Sequence, residues 1–313
     1  VNADGLLERV VSGGLIAPPA PVVAMLSGGR DSVCMLDLAV RARGPEAVLA
    51  LHVNYGLRDD ADGDERHCAD LCASLGAGLV VERPVRPETS GNLQAWARDA
   101  RYAAAARLAL PRGATIVTGH TADDQVETIL YRLASSPSRR ALLGMRPRDG
   151  QLARPLLGST RAETTAYCER RGLAWREDGS NEDPAFARNR IRHGLVPELA
   201  KIHPAAAANV LRTAELLRDE ADLLDSLVAA ELDGSGGSAR GTIELARLAR
   251  LHPALRRLVV QRLADAAAGR PVPGAARHAE EVAGLRRTGT AMLDLGGGVR
   301  AVVERGVLRA ERD

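Results

Sequence analysis

An α/β protein built on a parallel sheet is the fold class this sequence predicts, and three observations carry that prediction. Short β-branched runs alternate with longer helical periodicities through the first two thirds of the chain. The apolar run Val22–Leu26 passes directly into Ser27-Gly28-Gly29-Arg30-Asp31-Ser32 and then into a second apolar stretch, the order of a strand, a turn and a helix. A Gly-Ser stretch, Asp233–Gly241, then sets this region apart from a smaller, mainly helical remainder.

Each element follows from its own pattern. Val22–Leu26 is five apolar residues long, the reading of a strand buried on both faces, and Ser32–Ala42 has helical spacing. Ala47–Val53 and Asp62–Leu75 repeat the pair, as do Leu79–Arg83 with the strongly helical Leu93–Ala109, and Thr115–Thr118 with Ala122–Ala134. Ser159–Leu173 is helical again, whereas Trp175–Arg192 reads as a mostly irregular polar segment. Pro204–Leu232 has the pattern of one long amphipathic helix. Beyond the Gly-Ser break the chain is helical from Thr242 to about Ala268, and two strands, Met292–Leu295 and Val299–Glu304, flank a triple glycine. The expected organisation is a first domain over residues 1–202, a linker helix over 203–232 and a small domain over 233–313.

Composition narrows the class further. In 313 residues, 45% are hydrophobic and 26% charged, the balance of a soluble globular protein with a sizeable core. Aromatic residues are only 2%, so aliphatic and alanine packing builds that core, and a surface that stacks many bases on aromatic platforms is excluded. A net charge of +2 means that any nucleic-acid site is a local patch. Lys201 is the sole lysine; arginine supplies the other basic side chains and favours bidentate phosphate contacts. Cys34, Cys68, Cys72 and Cys168 form no CxxC pair and no zinc spacing, and Cys68 and Cys72 share a helical face as small packed residues. Neither a signal peptide, an apolar run of membrane-spanning length nor a lipidation motif is found, so a cytoplasmic chain without a membrane partner is expected.

Ligands of open parallel sheets sit beyond the carboxyl ends of the strands, where the Ser27, Asn54 and His120 loops converge. In the first loop, Gly28 and Gly29 let backbone N–H groups face one concavity, the following helix adds its positive end, and Ser27 and Ser32 add hydroxyls. Asp31 would repel a bare phosphate and makes chemical sense as a ligand for a bridging Mg²⁺. A plain turn before a helix accounts for the glycines and the acid equally well. The loop has neither the spacing nor the lysine of a Walker motif. Asp124 and Glu127, three apart on one helical face, can share a cation or an ammonium. Three arginines at alternate positions, Arg188, Arg190 and Arg192, suit either a solvated basic face or an anion site.

Ser27–Ser32 resembles the SGGxDS pyrophosphate loop of the N-type ATP pyrophosphatases, and three further segments resemble the tRNA(Ile)-lysidine synthetases within that superfamily. His52-Val53-Asn54-Tyr55-Gly56-Leu57-Arg58 is similar to their HVNHGLR run, with Tyr55 in place of a histidine. Gly119-His120-Thr121-Ala122-Asp123-Asp124-Gln125-Val126-Glu127-Thr128 is similar to GHHxDDQxET, with Thr121 in place of the second histidine. Trp175 through Arg192 resembles the W-x-EDPSN to RNRIR stretch, with Gly179 in place of proline. Arg154-Pro155-Leu156-Leu157 and the run from Gly91-Asn92-Leu93 to Arg101-Tyr102 belong to the same resemblance, which covers roughly Val22 to Leu199 in order.

The resemblance implies an ATP-pyrophosphatase catalytic domain and a small C-terminal domain that meets tRNA, in a short form of the enzyme. It implies ATP as a substrate held by Ser27, Gly28, Gly29, Arg30, Asp31, Ser32, Asn54, Arg58 and His120, with Mg²⁺ on Asp31. Arg30 stands at the variable position of the loop, either adding charge to the phosphate site or pointing to solvent. Catalytic roles fall to Asp31, Asp124, Glu127 and Arg192, and tRNA or substrate contacts to Arg101, Arg188 and Arg190. The partners implied are the isoleucine tRNA with a CAU anticodon, L-lysine and a second copy of the chain as a homodimer. The implied reaction adenylates the wobble cytidine and then joins lysine to its C2. A tRNA thiolation enzyme and a non-catalytic ATP-binding module are the rival readings. In the C-terminal part, Arg250, Arg256, Arg257, Arg286 and Arg287 are either phosphate contacts or ordinary surface arginines.

Overall fold

The computed structural model describes residues 3–57, 60–87, 92–135, 139–177, 185–233 and 241–312. It divides into two compact units, Val1–Glu215 and Leu216–Asp313.

In the first unit a six-stranded sheet has the order β3-β2-β1-β4-β6-β5. Its strands are β1 (Val22–Met25), β2 (Val48–Val53), β3 (Gly78–Glu82), β4 (Thr115–Val117), β5 (Arg148–Asp149) and β6 (Leu152–Ala153). All neighbours pair in parallel except β5, which runs antiparallel to β6. Between them lie α1 (Ala3–Ser12), α2 (Arg30–Arg43), α3 (Ala61–Leu75), α4 (Leu93–Ala109), α5 (Ala122–Ser135), α6 (Arg139–Leu142) and α7 (Arg161–Arg171). Val22 pairs with Val48 on one side and Thr115 on the other, so β1 is central and hydrogen-bonded along both edges.

Burial on both sides is why β1 is a continuous apolar run. Val22, Ala24 and Leu26 face a cluster with Val33, Leu36, Leu38 and Tyr167, whereas Val23 and Met25 face Ala104, Ala105 and Ala109 of α4. That alternation is the period-two consequence of strand geometry. On the first face, α2 and α7 are stapled by a polar contact. Asp37, with no exposed surface, accepts from Tyr167 Oη at 2.5 Å and from both Arg171 Nε and Nη2 at 3.1 and 3.2 Å. A capping box at Thr160 and Glu163 fixes the start of α7, and Gly172 in the left-handed region ends it.

Three stretches of this unit differ from the sequence expectation. Helix α1 was not foreseen, although Leu6 and Val10 sit on one face and are buried. β5 and β6 are two residues each, too short to leave a periodic signal. The segment expected to be irregular to Arg192 is helical from Ala187: α8 (Ala187–Arg190) passes through a π-helical turn, Ile191–Leu195, into α9 (Val196–Ile202). Arg188 and Arg192 lean on carboxylates of α5, so what reads as a polar run is a helix facing a charged partner. The long helix expected from Pro204 is α10 (Ala206–Leu232), which contains the division between the units.

The second unit holds a four-stranded sheet in the order β7-β10-β9-β8, formed by β7 (Ile243–Glu244), β8 (Thr290–Gly296), β9 (Val299–Glu304) and β10 (Val307–Arg312). It packs with α11 (Leu245–Arg250), α12 (Pro253–Ala268) and α13 (Ala279–Ala283). Its own core centres on Val259, Leu263, Leu248, Leu295, Val303 and Leu308. The sequence pattern predicts β8 and β9 but neither β10 nor β7, and Ile243–Glu244, expected to open a helix, pairs with β10 instead. All four cysteines are free and buried, and burial pushes the Cys68 and Cys72 thiols up to about 12 and 11. No described helix is long and apolar enough to cross a membrane.

Candidate active site

A cavity of about 580 Å³ opens at the carboxyl ends of β1, β2 and β4 in the first unit. Its floor is the Ser27–Ser32 loop, and Tyr55, Arg101, His120, Arg161, Trp175 and Arg192 stand around it.

The loop is organised before any ligand arrives. Ser32 Oγ receives the Ser27 N–H at 3.1 Å, donates to the Gly29 carbonyl at 2.7 Å and meets Ser27 Oγ at 3.1 Å. Gly28 has φ +83, a conformation L side chains rarely adopt, and turns its carbonyl to accept the Arg176 N–H at 3.0 Å. Val33 and Ser32 N–H groups return to the Gly29 carbonyl, starting α2 with its positive end at the loop. Gly119 closes the other wall: a Cβ there would stand 2.5 Å from the Asp31 carbonyl oxygen, so only glycine lets β4 pass the loop so closely.

Asp31 lines the cavity with its carboxylate already engaged. Arg30 Nε and Nη2 donate to its two oxygens at 3.1 and 3.2 Å, and Thr164 Oγ1 donates at 2.5 Å. Arg30 therefore does not point to solvent; it screens the loop's only carboxylate.

Next to this floor sits a charged cluster. Glu127, buried, accepts from Arg188 Nε at 2.7 Å, Arg192 Nε at 2.7 Å and Arg161 Nη2 at 3.3 Å. Asp124, also buried, accepts from Thr121 N–H at 2.8 Å, Arg188 Nη2 at 3.0 Å and Arg161 Nη2 at 3.4 Å. Burial alone would raise the Asp124 pKa, but Arg188, the Thr121 N–H, His120 and Arg161 outweigh it and hold the carboxyl below its usual range. His120 has the opposite environment. Burial, with the charges of Arg154, Arg188 and Arg101, overcomes Asp124 and depresses its pKa to about 4, so the ring is neutral at pH 7. Thr118 Oγ1 lies 2.7 Å from its Nδ1.

The structure brings Ser27, Gly28, Gly29, Arg30, Asp31, Ser32, His120, Asp124, Glu127, Arg101, Arg188 and Arg192 around this cavity and cluster. Asn54 is spent elsewhere: its amide donates to Asp62 and Glu65 at 3.1 and 2.9 Å and its Oδ1 receives the Gly56 N–H, so it builds the β2–α3 turn. Arg190 is exposed and donates to the Ala185 carbonyl at 2.9 Å, away from the two carboxylates its neighbours engage. Arg58 and the stretch Asp178–Asn181 lie outside the described residues.

Sequence reading missed three contributors. Arg161 and Thr164 come from α7, some 130 residues after the loop; the Ser159-Thr160-Arg161 start of that helix, just past Arg154–Leu157, was the available signal. Arg176 is the third. Its guanidinium bridges Asp64, at 2.5 Å, and Asp60 at the start of α3, while its backbone holds Gly28. Tyr55 is held by Ala97, its hydroxyl donating to that carbonyl at 2.8 Å, and its ring meets Trp96 edge-on.

A parallel sheet whose central strand ends in this glycine and hydroxyl loop defines an open α/β domain of the PP-loop class, and residues 12–199 match the family model described as PP-loop domain. The chain belongs to the PP-loop family and, within it, to the group of the tRNA(Ile)-lysidine synthases. The protein of that name from Pseudomonas aeruginosa is 44% identical over 213 residues, covering 66% of this chain and 48% of the relative. The one from Azoarcus sp. is 38% identical over 306 residues, covering 95% and 67%. This chain thus spans between about half and two thirds of the length of the curated relatives it matches. Among solved structures, a U34-tRNA thiolase from Methanococcus maripaludis has the same fold, with a TM-score of 0.57 at 17% identity over 69% of this chain and 78% of that one.

Proposed function

We propose that this chain joins L-lysine to C2 of the wobble cytidine of the isoleucine tRNA with a CAU anticodon, using ATP and releasing AMP and diphosphate. The observation that carries this reading is the juxtaposition of Asp124 and Glu127, under three arginines, with the Ser27–Ser32 loop. A phosphate cradle alone serves many reactions. A cradle beside a carboxylate pair with arginine counter-charges serves one that handles both an anion and an amine.

The steps follow from the chemistry of the groups. Oxygen on C2 of cytosine is a poor leaving group; its attack on the α-phosphorus of ATP expels diphosphate and turns it into a good one. Ser27, Ser32 and the N–H groups of the loop receive the diphosphate. Asp31, a hard oxygen donor on the cavity wall, fits a Mg²⁺ ion, which typically takes one or two carboxylates and completes its shell with phosphate oxygens and water. When bound, that ion neutralises charge on the departing diphosphate. Arg30, paired with Asp31 on the same cavity wall, adds the positive charge that phosphates there would meet.

In the second step the lysine ε-ammonium passes a proton to Glu127, the freed amine attacks C2 and gives up a second proton to water, and the C2–O bond breaks to release AMP. Asp124 and Glu127 hold the incoming ammonium. Asp124, kept below the usual carboxylate range, is a weak base and serves to position it. Arginines freed from the pair, Arg192 foremost, stabilise the charge that develops on the phosphate oxygen. Arg101 on the cavity wall contacts the RNA, whose anticodon loop is single-stranded and cheap to splay open. The reading includes a homodimer, checked by sedimentation at working concentration.

Nucleoside analysis of the CAU-anticodon tRNA after incubation with ATP and labelled lysine tests the reading. Label in the cytidine is the expected result. Transfer of sulfur without lysine would instead assign the thiolation chemistry, which the four buried cysteines disfavour.

A further inference from the structure

The arginines around the cleft fall into two groups. Arg161, Arg188 and Arg192 are matched to carboxylates. Arg98, Arg101, Arg132 and Arg154 are matched to none: no ion pair within 4 Å joins any of them to an acidic side chain among the described residues.

The second group is also where the polar atoms lack partners. Five buried side-chain nitrogen or oxygen atoms in the described residues make no hydrogen bond, and three of them are Arg101 Nε, Tyr102 Oη and Arg154 Nε. Buried polar groups are nearly always satisfied, so three orphans in one region mark a place where a ligand supplies the acceptors. Arg154 is 6% exposed and is held by a bond from Nη1 to the Arg146 carbonyl at 2.6 Å. Arg132 is half-buried and held through the Gly144 carbonyl at 2.7 Å. Arg98 is exposed and lies over the Tyr102 ring at 4.8 Å, with Arg101 on the same ring at 5.7 Å. Burial together with the charges of Arg154 and Arg98 lowers the Arg132 pKa, and Arg154 and Arg101 both act on His120.

Strand order sets Arg154 to one side of the phosphate cradle, and Arg101 and Tyr102 of α4 line the cavity above it. The cradle follows β1, His120 follows β4, and Arg154 follows β6. Exposure also grades from Arg98 at the surface, through Arg101 and Arg132, to buried Arg154. A compact anion would need one buried fork; a graded row of cations suits a chain of phosphates.

We propose that Arg98, Arg101, Arg132 and Arg154 form a track for the phosphodiester backbone of single-stranded RNA, leading the target nucleotide past His120 into the cavity, with Tyr102 Oη and its ring receiving a base. The proposal rests on RNA being the substrate, as above. The paired arginines handle reaction chemistry, and the unpaired ones bind the strand.

Fluorescence anisotropy of a labelled CAU anticodon stem–loop, titrated with the 313-residue chain at several salt concentrations, tests it. Arg98→Ala and Arg132→Ala should each lower affinity about five- to tenfold and flatten the slope of log K against log salt by about 0.7 to 1. The double variant should multiply the losses, while ATP affinity stays within twofold. Arg98 is exposed and makes no backbone bond, so that variant keeps the test sound if Arg132→Ala folds poorly. RNA affinity within twofold of the native value in Arg98→Ala and the double variant would overturn the track. So would a loss of ATP affinity with RNA binding untouched, which assigns the cluster to the triphosphate. RNA binding that depends on these arginines without lysine incorporation by the native chain upholds the track and overturns the reaction; no RNA binding at all overturns both.

Discussion

At the scale of single residues, the cleft is governed by how each charge is matched. Asp31 is the loop's only carboxylate, and on the proposed reaction its replacement leaves diphosphate without its counter-ion. Asp31→Ala should reduce AMP release at least a hundredfold while the melting temperature holds, because Arg30 lines the open cavity and buried Thr164 keeps the Arg161 carbonyl as an acceptor at 3.0 Å. Near-normal turnover would remove Asp31 from the reaction. Glu127 differs, lying beneath three guanidinium groups. Glu127→Gln should slow lysine transfer more than adenylation, read by following labelled AMP on RNA against labelled lysine. Equal losses would place Glu127 outside the amine site. His120 sets a pH window. Its folded pKa of about 4 lies below the ordinary value of 6.5, so the unfolded chain takes up a proton the folded chain refuses as pH falls from 6.5 to 4. Stability is therefore lost through that window, by roughly 3 kcal/mol at most. His120→Asn should show a shallower loss in denaturant titrations at pH 7, 5.5 and 4; an unchanged pH profile would mean the ring is protonated in the fold.

At the scale of elements, the segment Leu173–Glu177 acts as a strap across the loop. The Arg176 N–H holds the Gly28 carbonyl, and the side chain ties the strap to α3 through Asp60 and Asp64. Arg176→Met retains the backbone donor but frees the strap. The KM for ATP should rise about tenfold with kcat within threefold, and Arg176→Lys should recover part of it. Arg176 also lowers the His67 pKa, second to burial, so the variant should raise the His67 titration seen by NMR; an unmoved titration would show the strap still seated. The strap also shows what could be read in the chain and what could not. Ser27–Ser32 was legible because turn glycines, hydroxyls and an acid within six residues carry their chemistry locally. Arg161, Thr164 and Arg176 reach the site only through packing of α7 and the strap on α2 and α3, a tertiary fact with no local pattern. Asn54 shows the converse: its segment was read as part of the site, yet the fold uses its amide to close a turn. Likewise, Ala187–Arg192 looked irregular because its charges are balanced by α5, not by its own sequence neighbours.

At the scale of the whole molecule, each unit carries a separate core, and every residue lining the candidate cavity belongs to the first. A ligand that binds only folded protein stabilises by an amount set by its concentration relative to Kd, about 2.7 kcal/mol at a hundredfold excess. That stabilisation should appear where the ligand sits. With ATP and Mg²⁺ in such excess, the amides of β1 and β4 should exchange more slowly by up to about a hundredfold, the same free energy expressed as a protection factor. The amides of β9 and β10, whose core includes none of the cavity residues, should exchange at unchanged rates. Adding the CAU anticodon stem–loop extends the comparison. Protection confined to the first unit would place RNA recognition on the arginines of α4, α5 and the loops beside them. Added protection in β9 and β10 would assign a share of it to the second unit, where Arg250, Arg257, Arg286 and Arg287 supply the charge. ATP that protects β9 and β10 as strongly as β1 would contradict a nucleotide site formed by the Ser27–Ser32 loop alone.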